Sequence, residues 1–137
     1  MAYIVDSELF DDDRGKLTVI EKNIPFNIER VFYINAKKGT IRGNHRHKKT
    51  IHALSVVSGK CLIACSSSAD KTKNYELNES DSKCLVVEPS DFHNMKFIKD
   101  SILLVISSTK YDKSDYIYDN YKYCLLYTSP SPRDYTR

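Results

Sequence analysis

Short runs of β-branched and aromatic residues recur along this chain, and clusters of Gly, Asp, Asn or Ser separate them. Such runs are typical of strands and such clusters of turns, and no stretch before the last residues repeats with the period of a helix. The predicted strands cover residues 16–21, 29–34, 43–47, 52–58, 60–66, 73–77, 83–87, 93–97 and 101–107. We therefore expect an all-β fold, a closed or nearly closed antiparallel sandwich.

The length of 137 residues is that of a single domain, which we place at residues 1–123. The remaining residues, 124–137, hold two of the four prolines and follow neither a strand nor a helix pattern. They resemble translated adapter or out-of-frame sequence, so we expect an irregular tail that is not native to the domain.

Charge and composition argue against several classes of partner. Lys and Arg number 21 against 18 Asp and Glu, and this net charge of +3 makes no strong case for nucleic acid or for a membrane surface. The Tyr-rich and Asp-rich run 111–123 is acidic and would repel phosphates. The first residues lack a signal-peptide pattern, so we expect a cytoplasmic protein whose four cysteines stay as free thiols.

The most informative stretch is GTIRGNHRHKKTIHALSVVSG, residues 39–59. It carries His45 and His47 two residues apart on a predicted strand, followed by His52. Because side chains alternate along a strand, both imidazoles of the His-x-His pair lie on one face, which in a barrel is the face of the cavity. Imidazole ionises closest to neutral pH, so the pair suits proton transfer or metal binding.

This stretch resembles the first motif of the cupin superfamily, although cupins usually have Glu at the position of His52. Further segments, DDDRGKLTVIEKNIPFNIERVFYI, EPSDFHNM and LLVISSTKYDKSDYIYDNY, extend the resemblance over almost the whole domain. Together they are similar to the sugar-nucleotide 3,4-ketoisomerase branch of the cupins. The resemblance implies a cupin-type double-stranded β-helix, or jelly-roll barrel. It departs at Phe92, near which the family often has Trp, and at His52.

The resemblance also implies an activity and an assembly. Members of this branch act on dTDP-4-keto-6-deoxy-D-glucose without a metal or another cofactor, and they supply precursors of 3-amino-3,6-dideoxy sugars for surface glycans such as lipopolysaccharide or S-layer glycans. They are homodimers in which an N-terminal strand is exchanged between subunits. We therefore expect a dTDP-sugar substrate and a homodimer, with no nucleic-acid or membrane partner.

A 3,4-ketoisomerisation removes a proton from C3 of the hexose and delivers one to C4 through an enediol. We expect His47 to be the principal base and His45 its partner, with the order of the two left open. Tyr33 is the candidate donor to the ketone oxygen, since strand alternation would aim its hydroxyl inward. The predicted substrate-binding residues are Arg14, Arg42 and Arg30, whose guanidinium groups suit the two phosphates, and His93.

Three alternatives remain open at this stage. One is a metal-dependent cupin, such as a dioxygenase, with its metal on His45, His47, His52 and His93. Another is a cupin that binds the sugar without catalysis. A third is a dTDP-sugar 3,5-epimerase, which also uses a histidine base in a cupin barrel.

Overall fold

The computed structural model describes residues 1–118, which form two five-stranded antiparallel sheets and a separate two-stranded hairpin. The strands are β1 (Tyr3–Asp6), β2 (Glu8–Asp12), β3 (Gly15–Val19), β4 (Arg30–Ala36), β5 (Ile41–His47), β6 (His52–Ser58), β7 (Lys60–Ser68), β8 (Lys71–Asn78), β9 (Lys83–Val87), β10 (Phe92–Phe97), β11 (Ser101–Ser107) and β12 (Tyr116–Ile117). A short 3₁₀ turn, Lys113–Asp115, precedes β12. The described part of the chain has no helix long and apolar enough to cross a bilayer.

The two sheets face each other across one apolar core. The first sheet has the strand order β1-β9-β6-β11-β4 and the second the order β12-β5-β10-β7-β8. Leu54, Leu85 and Leu103 enter the core from the first sheet, and Ile63 and Phe97 enter it from the second. Each of these five side chains is at most 1% exposed, so hydrophobic burial holds the sheets together. The expected antiparallel sandwich is confirmed.

All nine predicted strands are present, and residues 1–118 contain three more that were missed. β2 is exposed at every residue and β12 has only two residues, so neither carries the alternation of apolar and polar residues that marks a half-buried strand. β1 pairs with β9 of the same chain, in the register Tyr3 to Val86. The expected exchange of an N-terminal strand between subunits therefore stays a prediction.

Strand registers bring several polar side chains to one end of the sandwich. In the first sheet, Ser107 pairs with His52 on one side and with Arg30 on the other. In the second sheet, His45 pairs with His93, and His47 pairs with Tyr116. Because paired residues share a face, this end of the inner space is lined by groups that can donate, accept or carry protons.

A β-bulge at Asn44 changes which side chains of β5 face inward. His93 pairs with His45 while Asn94 pairs with Gly43, so Asn44, at φ 61°, has no partner in the register. This extra residue places Arg42 on the same face as His45, although their odd spacing would put them on opposite faces of a regular strand.

Candidate active site

A cavity opens between the sheets at this polar end. Its deeper wall is apolar, with Phe32, Ile34, Leu54, Met95 and Val105. The polar lining consists of Arg30, Arg42, His45, His52, His93 and Tyr116. The cavity thus offers an apolar floor below a cluster of cationic and proton-transferring groups.

His45 and His93 are held in one tautomer by backbone carbonyls. The Nδ1 of His45 lies 3.0 Å from the Gly43 oxygen, and the Nδ1 of His93 lies 3.2 Å from the Asp91 oxygen. A carbonyl only accepts, so each Nδ1 carries the proton and each Nε2 carries a lone pair. The two rings meet edge to face with 4.8 Å between centroids, which places two basic nitrogens next to each other at the cavity.

His47 is oriented by a carboxylate. Its Nδ1 lies 2.9 Å from Oδ2 of Asp115, and both side chains are almost fully buried. The Thr50 hydroxyl donates to the same oxygen over 2.5 Å, while the Lys49 backbone N–H donates to Oδ1 over 2.8 Å. These bonds fix the ring with Nδ1 protonated and leave Nε2, which has no hydrogen-bond partner among the described residues.

Burial makes all four histidines poor cations. It lowers the pKa of His45 and His52 well below the usual value and that of His93 to about 4, and neighbouring imidazoles add to the effect. Burial also lowers the pKa of His47, but the Asp115 carboxylate opposes this shift. His47 is therefore neutral at neutral pH, and its protonated form has a counterion.

The carboxylate of Asp115 stays ionised. Burial alone would raise its pKa, but the hydrogen bonds from Thr50, Lys49 and His47 together lower it. An ionised Asp115 beside a neutral His47 is the arrangement that assists an imidazole in accepting a proton.

Most of the predicted site residues come together here. His45, His93, Arg30 and Arg42 line the cavity. His47 lies just beneath its surface, with 4.9 Å between its ring centroid and that of His45 and 4.7 Å to that of His52.

Two predicted site residues do not reach the cavity of their own chain. Strand alternation in β4 turns Arg30, Phe32 and Ile34 inward, so the expected inward orientation of Tyr33 is wrong and its side chain is 66% exposed. Arg14 lies in the turn between β2 and β3, where its fully exposed guanidinium pairs with Asp12 over 2.7 Å. The barrel of the same chain therefore does not place Arg14 near a phosphate.

Sequence reasoning missed Asp115 and Tyr116. Both belong to the acidic, Tyr-rich run 111–123, which served only as an argument against nucleic acid. Asp115 is 68 residues from His47 in sequence, and no local pattern links the two. Tyr116 has its ring centroid 4.5 Å from that of His47, because β12 pairs with the end of β5.

Three of the histidines could also hold a metal ion. His45, His47 and His93 each offer a ligand atom, and these atoms lie within 4.8 Å of one another. Neutral imidazoles with the second nitrogen bound to an oxygen acceptor are good ligands for transition metals. The same lone pairs are equally suited to accept a proton from a substrate.

Comparison with known proteins assigns the chain to a family. The sequence pattern of the family described as "FdtA: WxcM-like, C-terminal" matches residues 2–128. A TDP-4-oxo-6-deoxy-α-D-glucose-3,4-oxoisomerase from Aneurinibacillus thermoaerophilus is 38% identical over 126 residues, which covers 87% of this chain and 88% of the relative.

Solved structures agree with this assignment. QdtA, a sugar 3,4-ketoisomerase from Thermoanaerobacterium thermosaccharolyticum in complex with TDP, has a TM-score of 0.80 and 34% identity, covering 86% of this chain and 88% of its own. A histidine-to-asparagine variant of QdtA in complex with TDP-4-keto-6-deoxyglucose has a TM-score of 0.80 and 35% identity over 89% of each chain.

A dTDP-4-dehydrorhamnose 3,5-epimerase from Sulfolobus tokodaii shares the fold alone, with a TM-score of 0.75 and 22% identity over 84% of this chain and 74% of its own. The expected cupin-type fold is confirmed by these neighbours. The match of sequence pattern, relative and structure over almost the whole described chain leads to one conclusion: this chain belongs to the FdtA family, WxcM-like, C-terminal.

Proposed function

We propose that this chain is a TDP-sugar 3,4-ketoisomerase that converts dTDP-4-keto-6-deoxy-D-glucose into a dTDP-3-keto-6-deoxyhexose. The observation that carries the proposal is the cluster of neutral imidazoles at the polar end of the cavity, one of which is paired with a buried carboxylate. The names of the relatives supply the substrate, and the cavity supplies groups that fit its chemistry.

His47 and His45 transfer the carbon-bound proton. His47 is the better base of the two, because Asp115 stabilises its protonated form, whereas His45 has only a backbone carbonyl at its Nδ1. His45 lines the cavity and lies between His47 and His93, so it is placed to contact the hexose and to share the proton. The base takes the C3 proton, the enediol forms, and a proton is returned to C4.

Asp115 acts as a positioning residue. It does not line the main cavity, but its bond to His47 keeps the Nε2 lone pair available and offsets the charge that develops on the ring. Thr50 and the Lys49 backbone hold Asp115 in place in turn.

Arg42 and Arg30 bind the diphosphate. Both line the cavity, and a guanidinium can donate two hydrogen bonds to one phosphate. The apolar floor at Phe32, Leu54 and Val105 suits a sugar in which C6 is a methyl group rather than a hydroxymethyl group. His93 contacts the sugar beside His45.

The assay of this function is conversion of dTDP-4-keto-6-deoxyglucose in deuterated water, followed by NMR. A ketone that has moved to C3 supports the proposal. An inverted centre with the ketone still at C4 would instead identify an epimerase, and binding of TDP without any exchange or conversion would identify a sugar-binding protein.

Metal analysis separates this proposal from a metal-dependent cupin. Of the three imidazoles that could hold a metal, His45 and His47 are assigned to proton transfer and His93 to the contact with the sugar. Activity that persists after dialysis against a chelator, in protein with no stoichiometric metal, supports the proposed mechanism. Loss of activity that only a transition metal restores would replace it.

We further propose a homodimer in which Arg14 of one subunit binds substrate in the other. The β2–β3 hairpin exposes Phe10 and Leu17 at 56% and 61%, which is the kind of apolar surface that a partner covers. Arg14 lies at the tip of this hairpin, outside the cavity of its own chain.

Mixing two inactive variants tests this arrangement. Arg14→Ala and His47→Ala each disable every site of their own homodimers, but a mixed dimer keeps one intact site if Arg14 acts across the interface. Re-equilibrated mixtures would regain about a quarter of the wild-type activity, since half of the dimers are mixed and each has one of two sites intact. No recovery in a protein shown by light scattering to be dimeric would contradict the exchange.

The proposed cellular role is to supply a 3-amino-3,6-dideoxy sugar precursor for a surface glycan, such as lipopolysaccharide or an S-layer glycan, in the cytoplasm. Among the described residues, Cys61, Cys65 and Cys84 are buried free thiols, which fits a reducing compartment. Cys124 and the predicted tail, 124–137, lie outside the described residues.

A further inference from the structure

Tyr116 is the one tyrosine that lines the cavity among the described residues. It pairs with His47 across β12 and β5, so both side chains project from the same face of the sheet. Its ring centroid lies 4.5 Å from that of His47 and 4.9 Å from that of His45. The phenol is therefore next to the two imidazoles assigned to the carbon-bound proton.

Arg30 determines what the Tyr116 hydroxyl can do. Both side chains line the cavity, and the Arg30 guanidinium, which carries only donors, favours the phenolate and so acts to lower the pKa of the Tyr116 hydroxyl. Arg30 is held by the Phe32 ring, whose centroid is 4.2 Å from the guanidinium carbon, and it lines the same cavity. A cation fixed beside the oxygen also stabilises the phenolate when the proton leaves.

The ionisation of Tyr116 is consistent with this arrangement. Burial raises the pKa of the Tyr116 hydroxyl above its usual value, while Arg30 acts in the opposite direction. The group is thus protonated at neutral pH, and the transient phenolate has a counterion.

The reaction needs such a group because it moves two protons. The C3–H bond breaks and a C4–H bond forms, while the O3–H bond breaks and an O4–H bond forms. The imidazoles account for the carbon-bound proton, but a second group must deliver a proton to O4 and accept one from O3. Neither an oxidant nor a reductant is needed, since the substrate is isomerised.

We propose that Tyr116 is the catalytic acid and base on the oxygen side of this reaction, an inference that rests on the proposed ketoisomerase function. Its hydroxyl protonates O4 as the imidazole base removes the C3 proton. The phenolate, held by Arg30, then takes the proton of O3 as C4 is protonated. The phenol and the imidazole are both restored at the end of the cycle.

Tyr116→Phe removes the hydroxyl and keeps the ring packed between the histidines. We expect kcat for ketone migration to fall by ~10²–10³-fold, the range for loss of one donor to a developing oxyanion, with little change in the dissociation constant of TDP. In deuterated water, the ratio of C3 proton exchange to product formed should rise, because exchange at C3 needs only the donor to O4, whereas product formation also needs the base for the O3 proton. A purely structural role would not move this ratio.

Tyr118→Phe is the matched control. Tyr118 stacks on Tyr116, with 6.3 Å between ring centroids, and is 40% exposed, so loss of its hydroxyl should leave kcat close to that of the wild type. If Tyr116→Phe fails to fold, 3-fluorotyrosine at position 116 tests the same point, since the more acidic phenol should move the alkaline limb of the kcat profile to lower pH.

The outcomes separate the inference from the function beneath it. Wild-type protein that does not move the ketone at all would overturn the proposed function. Wild-type protein that does so, together with a Tyr116→Phe variant of nearly unchanged kcat or unchanged exchange ratio, would overturn the role of Tyr116 alone.

Discussion

Asp115→Asn tests the orientation of the base with a minimal change of shape. In the wild type, Asp115 accepts from His47 at 2.9 Å, from Thr50 at 2.5 Å and from the Lys49 backbone at 2.8 Å. An asparagine has one acceptor oxygen in place of two. If the amide nitrogen takes the place of Oδ2, only the Lys49 N–H keeps its acceptor, and if it takes the place of Oδ1, only His47 and Thr50 keep theirs. Either arrangement leaves fewer acceptors than donors.

When the amide nitrogen faces His47, its N–H groups meet the protonated Nδ1. The ring relieves this clash by moving its proton to Nε2, which removes the lone pair that attacks the C3 proton. General-base catalysis contributes ~10²–10⁴-fold, so kcat should fall by that factor, which corresponds to about 3–5 kcal/mol of transition-state stabilisation. Loss of charge-assisted bonds should also lower the free energy of unfolding by about 1.5–3 kcal/mol.

The acid limb of the activity profile gives a second readout. The base is active when neutral, so activity rises with pH through the pKa of His47. Asp115 raises that pKa against the effect of burial, and its neutralisation should therefore move the limb of the residual activity to lower pH. Nitrogen-15 NMR of the histidine rings reports the change of tautomer directly.

Asp112→Asn is the control, because Asp112 lies in the same turn but is partly exposed and caps it by accepting from the Ser114 N–H. Ketone migration in Asp115→Asn at a rate within about threefold of the wild type, in folded protein, would refute the reasoning. So would an unchanged His47 tautomer.

Three further predictions concern the close approach at Gly43, stability in acid and diphosphate binding. Gly43→Ala places a methyl group 2.9 Å from the His93 carbonyl oxygen at a φ of +91°, whereas the methyl group of Gly39→Ala, at φ +87°, meets nothing within 4 Å. In urea denaturation, Gly43→Ala should therefore lose clearly more stability than the ~1–2 kcal/mol that left-handed strain costs Gly39→Ala. Equal losses would contradict the close approach of β5 and β10. Because the pKa values of the four histidines are lowered in the folded protein, the unfolded chain binds more protons in acid, and stability should be constant above about pH 7 and fall below it. His93 alone, with a pKa of about 4, should account for a loss of about 3 kcal/mol by pH 4. His93→Gln should flatten this dependence in thermal melts, and an unchanged slope would argue against a buried neutral His93. Arg42→Ala should raise the dissociation constant of TDP, measured by calorimetry, about tenfold or more, with a smaller effect on kcat. Lys38→Ala, at the other end of the sandwich, serves as the control. Tight binding by Arg42→Ala would remove Arg42 from the diphosphate site.

The strands and the location of the histidines could be predicted from local sequence patterns. Runs such as β6 and β11 have the bounds predicted for them, because alternating or continuous β-branched residues between turn residues leave few other structures. His45 and His47 share a face because they are two residues apart on a strand, a property of local backbone geometry that needs no knowledge of the rest of the chain.

The groups that contact those histidines depend on how the strands pack and pair. Tyr33 was expected to point inward, but the direction of alternation in β4 depends on which face packs against the core, and Phe32 took that place. Arg42 faces the cavity only because the bulge at Asn44 shifts the register of β5 against β10, a feature set by pairing between strands.

Asp115 shows most clearly which contacts the sequence pattern could not predict. It meets His47 across 68 residues of sequence, since the turn after β11 returns the chain to the end of β5, and no periodicity encodes that contact. Local propensity acts over a few residues, so it fixes the elements and which residues share a face, but not which face points inward. The partners of a catalytic base are fixed by long-range strand pairing, and so they emerge only once the barrel is closed.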